Sequence, residues 1–178
     1  MKLNLDEYGL TGALAIKQFV FEDERGIFSH IYRKVDDSID KLPDFKKIRN
    51  IYSSYNHDAF TFRGFHKQKE PHSEAKVMRC ITGSLIHYIL KIQENQTLLD
   101  YNELSHSNGL ASYVPRDCFS GFITIEPRTT VIYLTDNHYF ADSGEGIRWN
   151  DPILPQYLGN IIPQTISKKD QGYSNYQI

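Results

Sequence analysis

Arg63, Gly64 and His66 stand close together in the run TFRGFHKQ, residues 61–68. A guanidinium is a permanent fork of donors for a phosphate or carboxylate, and an imidazole is a good base near pH 7. Together they suit a site that grips an anion and moves a proton. The flanking residues read as a β-strand. In a flat strand Phe62, Gly64 and His66 share one face, and Arg63 and Phe65 the other. The two functional side chains then point apart. A glycine between them predicts a bulge or bend that brings both onto one concave surface. An edge strand with solvated polar groups would have the same letters, so this run alone does not establish a site.

His72 and Glu74 follow in KEPHSEAK and raise the question of a metal. A metal needs three or four oriented donors. His66 and His72 are six residues apart, which does not set them side by side on one strand. Gly109 and Pro115 keep a spacing similar to that of metal-binding cupins, and Ser120 stands where that resemblance would put a further ligand histidine. No metal site is expected. Cys80 and Cys118 are far apart and in no recognisable nucleophile setting; they read as two reduced thiols of a cytosolic protein. The other chemistry open to a histidine is proton transfer, helped by a carboxylate on its second ring nitrogen. Spacing does not say which carboxylate.

The elements that must position these groups are strands. ALAIKQFVF, GIFSHIYRK, KKIRNIYSSYN, AKVMRCITGSLIHYILKI, ASYVP, GFITIE and TTVIYLTD alternate with turn signals such as EDERG, KEPHS, ENQT, SHSNG and EPRT. So many short strands predict an all-β sandwich, barrel or jelly roll. Only KVDDSIDKLPDF suggests a short helix or irregular excursion. The stretch from WNDP to the end has little periodicity and is expected to wrap around the barrel, with a short helix possible. The 178 residues, with no linker or repeat, read as one domain, 1–178. A net charge of −2 supplies no field for nucleic acid or an anionic membrane, so any anion site must be local. No apolar run approaches the roughly 20 residues that cross a bilayer, and the acidic N-terminus lacks a signal-peptide core. A cytoplasmic protein is expected.

Several motifs occur in order over almost the whole chain: FEDERGIFS, TFRGFHKQKEPHSEAKVMRCITGS, YVPRDCFSGF, TTVIYLTDNHYFADSGEGIRWNDP and ISKKD. Through this ordered set the sequence resembles the dTDP-4-dehydrorhamnose 3,5-epimerase family, the cupin-fold epimerases of nucleotide-linked 4-keto sugars. The resemblance implies a cupin-type jelly roll (double-stranded β-helix) with an irregular C-terminal segment, and no cofactor. It also implies residue roles. His66 matches the general base, Asp170 the carboxylate that orients it, and Lys76 the cation beside the developing enolate oxygen. Tyr133 matches the residue that returns a proton from the opposite face. Arg25 and Arg63 match diphosphate contacts, and Tyr139 a ring near the substrate. The partners implied are a nucleotide-diphosphate sugar and a second copy of the chain. In that homodimer ALAIKQFVF adds to the partner's sheet and Arg25 lies near the partner's site.

The sequence departs from well-known family members in places that bear on substrate. Ser120 replaces a histidine that contacts substrate. His30 stands five residues after Arg25, where a base-contacting glutamate is usual. NIYSSYNHDAFTF differs from the usual pattern before the Arg-Gly-x-His motif. These changes spare the proton-transfer set. They imply retained chemistry on another nucleotide sugar, such as a GDP-linked 4-keto-6-deoxy-heptose of capsule synthesis. Two other readings are a non-catalytic sugar-nucleotide-binding cupin and a metal-dependent cupin enzyme. The first is opposed by the joint presence of His66, Lys76, Tyr133 and Asp170.

Overall fold

Alternation along the strands determines the architecture. In the computed structural model of the chain, residues are described throughout 1–178 except 3, 6, 33–41, 95, 156–160 and 178. Strand β7 (Ser84–Gln93) buries Leu85, His87 and Ile89 in succession on one face, while Ile86, Tyr88 and Ile92 pack on the other. Both faces are covered, so the residues between the buried positions are also largely apolar.

Two antiparallel sheets form the body. One orders β1 (Leu14–Lys17), β9 (Leu110–Val114), β6 (Lys76–Thr82), β11 (Thr129–Thr135) and β4 (Asn50–Asn56). The other orders β12 (Gly144–Gly146), β5 (Thr61–Gln68), β10 (Phe119–Thr124), β7 and β8 (Gln96–Ser105), with β13 (Thr165–Ile166) parallel to β5. A separate hairpin joins β2 (Val20–Asp23) to β3 (Gly26–Ser29). The arrangement is a jelly roll. The C-terminal segment is largely irregular, with one short helix, α1 (Lys168–Gln171), whose N-cap Ser167 accepts from the Asp170 N–H.

Apolar side chains fill three layers. Met78, Cys80 and Val131 of the first sheet meet Leu85, Leu104 and Phe122 of the second inside the roll. Leu14, Ile16, Val77, Tyr113 and Leu134 line the outside of the first sheet, where Leu42 and Phe45 cover them. These two residues end the KVDDSIDKLPDF segment, most of which lies outside the described residues. Phe62, Phe65, Phe119 and Ile123 line the outside of the second sheet under Ile147, Trp149 and Leu154 of the C-terminal segment. That segment wraps as expected because this outer face is apolar.

Strand β8 is absent from the strands expected from sequence. Its inward residues include Asp100 and Asn102, both buried, so its apolar alternation fails where it faces the core. Each has a polar partner there: Asp100 accepts two 2.7 Å bonds from Thr11, and Asn102 donates to Ser112 at 3.2 Å. The N-terminal run ALAIKQFVF also divides. Leu14–Lys17 pairs with β9 of its own sheet, and only the remainder enters the β2–β3 hairpin.

Candidate active site

The bend at Gly64 decides which side chains share a face. Ser120 pairs with His66 but Phe122 pairs with Arg63, so β5 carries one residue more than β10 between those points. This bulge reverses the strand's parity. Phe62 and Phe65 therefore both pack outward, with ring centroids 5.4 Å apart, while Arg63 and His66 both line one cavity. Gly64 is needed twice over. Its φ is +129°, and a Cβ there would lie 2.4 Å from Gly121 Cα.

The cavity, of about 550 Å3, lies between the two sheets. One wall is Arg63, His66 and Ser120; the other is Ser54, Lys76, Met78 and Tyr133. Lys169 and Asp170 close it from α1. His66 Nε2 and Asp170 Oδ1 are 2.6 Å apart. Asp170 is buried, and burial alone would raise its carboxyl. The hydrogen bond and charge of His66, with contacts from Ser167 and the Gly64 backbone, outweigh burial and hold it below the usual range. An ionised carboxylate at Nε2 fixes the tautomer with a proton there and leaves Nδ1 as the basic atom.

Across the cavity, Tyr133 Oη is 2.8 Å from Ser54 Oγ. Burial pushes its phenol up to about 12, against smaller opposing effects of Ser54 and the Arg63 charge. It is therefore a neutral O–H donor at physiological pH. Lys76 is buried, with Nζ 3.5 Å from Glu74 Oε1. Arg63 Nε donates to Asn56 Oδ1 at 2.7 Å, and Arg63 lines the cavity. The arrangement can remove a proton from one face of a bound molecule, stabilise negative charge between, and supply a proton to the other face.

The sequence-based site residues thus divide. His66, Asp170, Lys76, Tyr133, Arg63 and Ser120 line one cavity. Tyr139 is exposed outside that lining, near enough to Tyr173 to influence its phenol. Arg25 sits on the β2–β3 hairpin, ion-paired to Asp23 at 2.6 Å. His30 lies beside that hairpin between the rings of Phe19 and Phe28. Neither lines the cavity of its own chain.

Other residues escaped the sequence reading. Lys169 adds a third cation to the lining, beside Arg63 and Lys76, signalled only by its place beside Asp170. His87 projects inside the roll with no hydrogen-bond partner at either nitrogen among the described residues. Burial, then the Lys76 charge, pushes it down to about 3, so it is neutral. Nothing in its strand pattern distinguishes it from a polar outward position. Burial raises the Cys80 thiol to about 12 and raises Cys118 as well, which makes both poor nucleophiles. Among the described residues, no three His, Cys, Asp or Glu side chains come together as a metal ligand set.

Comparison with known proteins gives one direction. Residues 7–177 match the family model described as dTDP-4-dehydrorhamnose 3,5-epimerase. The enzyme of that name from Sinorhizobium fredii is 28% identical over 153 residues, covering 84% of this chain and 77% of its own. A crystal structure of dTDP-4-dehydrorhamnose 3,5-epimerase from Bacillus anthracis, with TDP and PPi bound, superposes with a TM-score of 0.83 at 27% identity, covering 97% of this chain and 99% of its own. A 4-keto-6-deoxy sugar epimerase from Streptomyces spheroides shares the fold, with a TM-score of 0.82 at 22% identity, covering 96% of this chain and 85% of its own.

Proposed function

Because this chain belongs to the dTDP-4-dehydrorhamnose 3,5-epimerase family and is an epimerase, we propose that it inverts C3, C5 or both of a nucleotide-linked 4-keto-6-deoxy sugar. The observation that carries this is the opposition of the His66–Asp170 pair and Tyr133 across one cavity, with Lys76 among the lining residues.

A 4-keto group makes the hydrogens on its two neighbouring carbons acidic, because the carbanion delocalises into an enolate. His66 Nδ1 takes one of these protons, and Asp170 stabilises the imidazolium that forms. Lys76 stabilises charge that develops on the enolate oxygen, and so acts mainly on the transition state and intermediate. Tyr133 then gives its proton to the opposite face of the same carbon, and the centre inverts. Arg63 and Lys169 supply cations for the diphosphate.

The TDP and PPi in the Bacillus anthracis relative support a dTDP-linked sugar as the first substrate to assay. His30 and Ser120 make a GDP-linked 4-keto-6-deoxy-heptose the second. Either sugar would place the enzyme in surface polysaccharide synthesis. The free, buried Cys80 and Cys118 support a cytoplasmic protein, and no helix among the described residues is long and apolar enough to cross a membrane. The spread of cavity residues from Ser54 to Asp170 supports one domain. A homodimer is supported by two features left exposed among the described residues, the aromatic β2–β3 hairpin and the edge strand β4.

The test is incubation with each 4-keto nucleotide sugar in deuterated water, followed by NMR of C3 and C5. Wild-type protein should incorporate deuterium and invert. His66→Asn should lose exchange by roughly the 10²–10⁴-fold expected of a general base. Near-normal exchange in folded His66→Asn would remove the assignment.

A further inference from the structure

The motif GEGIRWNDP, residues 144–152, contributes no side chain to the cavity lining. In the structure, three of its residues each hold one residue of the C-terminal tail. Asp151 Oδ2 accepts from the Tyr176 N–H at 2.9 Å. Arg148 Nη2 donates to Asn175 Oδ1. Gly146 supports Tyr173: a Cβ on Gly146 would lie 2.0 Å from Tyr173 Cζ and 2.1 Å from Cε2, so the ring rests directly on bare backbone. Gly146 is also the cross-strand partner of His66. The Tyr173 ring accordingly reaches the imidazole, edge-on at 66° with centroids 6.2 Å apart.

Asp170 holds His66 at a single nitrogen. One hydrogen bond fixes a distance but leaves the imidazole free to tilt about it. A ring packed against the imidazole restrains that tilt. We propose that Tyr173 is a positioning residue for His66, seated there by the Gly146, Arg148 and Asp151 motif through the C-terminal tail. The proposal rests on His66 being the base. Tilting an imidazole moves its basic nitrogen, and an error of about 1 Å in a reacting atom can cost on the order of 10²-fold in rate.

The experiment uses full-length protein with 13C-labelled histidine and the exchange assay above. In Tyr173→Ala the His66 ring C–H resonances should shift, because the neighbouring aromatic ring is gone. Exchange kcat should fall roughly 10- to 100-fold, with KM little changed. Tyr173→Phe keeps the ring and should restore both readouts. Gly146→Ala, which displaces the ring, should reproduce the Tyr173→Ala defect, and the two changes together should not add. Unshifted His66 resonances in Tyr173→Ala, a wild-type exchange rate in it, or an equal loss in Tyr173→Phe would each overturn the proposal. The resonances are read without substrate, so they stand apart from the His66→Asn result, which tests the base assignment.

Discussion

At the scale of single residues, the two protons of the reaction can be separated. Without the Tyr133 hydroxyl, His66 would still abstract and Lys76 would still stabilise the enolate. Reprotonation would then come only from the face of His66 and restore the starting configuration. Tyr133→Phe should therefore show deuterium wash-in with little net inversion, measured by NMR on one sample. Equal loss of exchange and inversion would take Tyr133 out of the donor role. With its phenol held up to about 12, the proton to be donated stays in place through pH 10, so inversion in the wild type should show no alkaline loss from this group below that pH. Asp170 gives a second pH signature. Its folded carboxyl titrates below its ordinary value, so ionised Asp170 adds stability above about pH 4, where an unfolded carboxyl ionises, and loses it as pH falls through the folded value. Asp170→Asn should lower Tm at neutral pH, and the difference from wild type should narrow below pH ~4. A difference in Tm that stays constant with pH would show that the carboxylate charge contributes nothing to the fold.

Among the elements, β5 is where fold and chemistry meet. Gly64→Ala must accommodate a φ of +129° and a Cβ 2.4 Å from the Gly121 backbone. Strain of this kind and overpacking each cost about 1–3 kcal/mol, so a total loss of roughly 2–6 kcal/mol is expected. The larger consequence is geometric. Any relief of the clash pushes β5 away from β10 and disturbs the bulge that sets Arg63 beside His66. Activity should fall by more than the stability loss explains, checked by kcat/KM at a temperature where denaturant titration shows the variant folded. Activity in proportion to the folded fraction would mean that the bulge tolerates a side chain.

Over the whole molecule, the proposed homodimer rests on surfaces left exposed among the described residues. Phe19, Phe21 and Phe28 around the hairpin are 50–63% exposed, and Ile51, Tyr52 and Tyr55 on edge strand β4 are 41–62% exposed. Exposed edges and aromatic patches of this kind favour association. Because Leu14–Lys17 is already paired within its own sheet, the hairpin is the N-terminal part left to reach a partner, and it carries Arg25. Light scattering at micromolar concentration should give twice the monomer mass of 20.7 kDa. Arg25→Ala should raise KM for the nucleotide sugar while leaving the mass unchanged. A monomer mass in the wild type would remove both expectations.

The sequence by itself determined the all-β class, most strand positions and the set of His66, Lys76, Tyr133 and Asp170 to look for in one cavity. Period-two apolar runs, turn residues and the ordered motifs all leave local traces in the chain. It also marked Gly64 as the place where β5 must bend, since glycine inside a strand marks a bulge or a close backbone approach. What it did not contain was anything that depends on what packs across a sheet. Strand β8 was hidden because Asp100 and Asn102 face the core and bond there to Thr11 and Ser112, the first of them 89 residues away in sequence. His87 reads as an ordinary polar position until the other sheet closes over it. Tyr173 is one ring among 12 tyrosines until Gly146, which has no side chain, lets it reach His66. The pairing of His66 with Asp170 spans 104 residues, and only closure of the chain over β5 puts a carboxylate 2.6 Å from that imidazole.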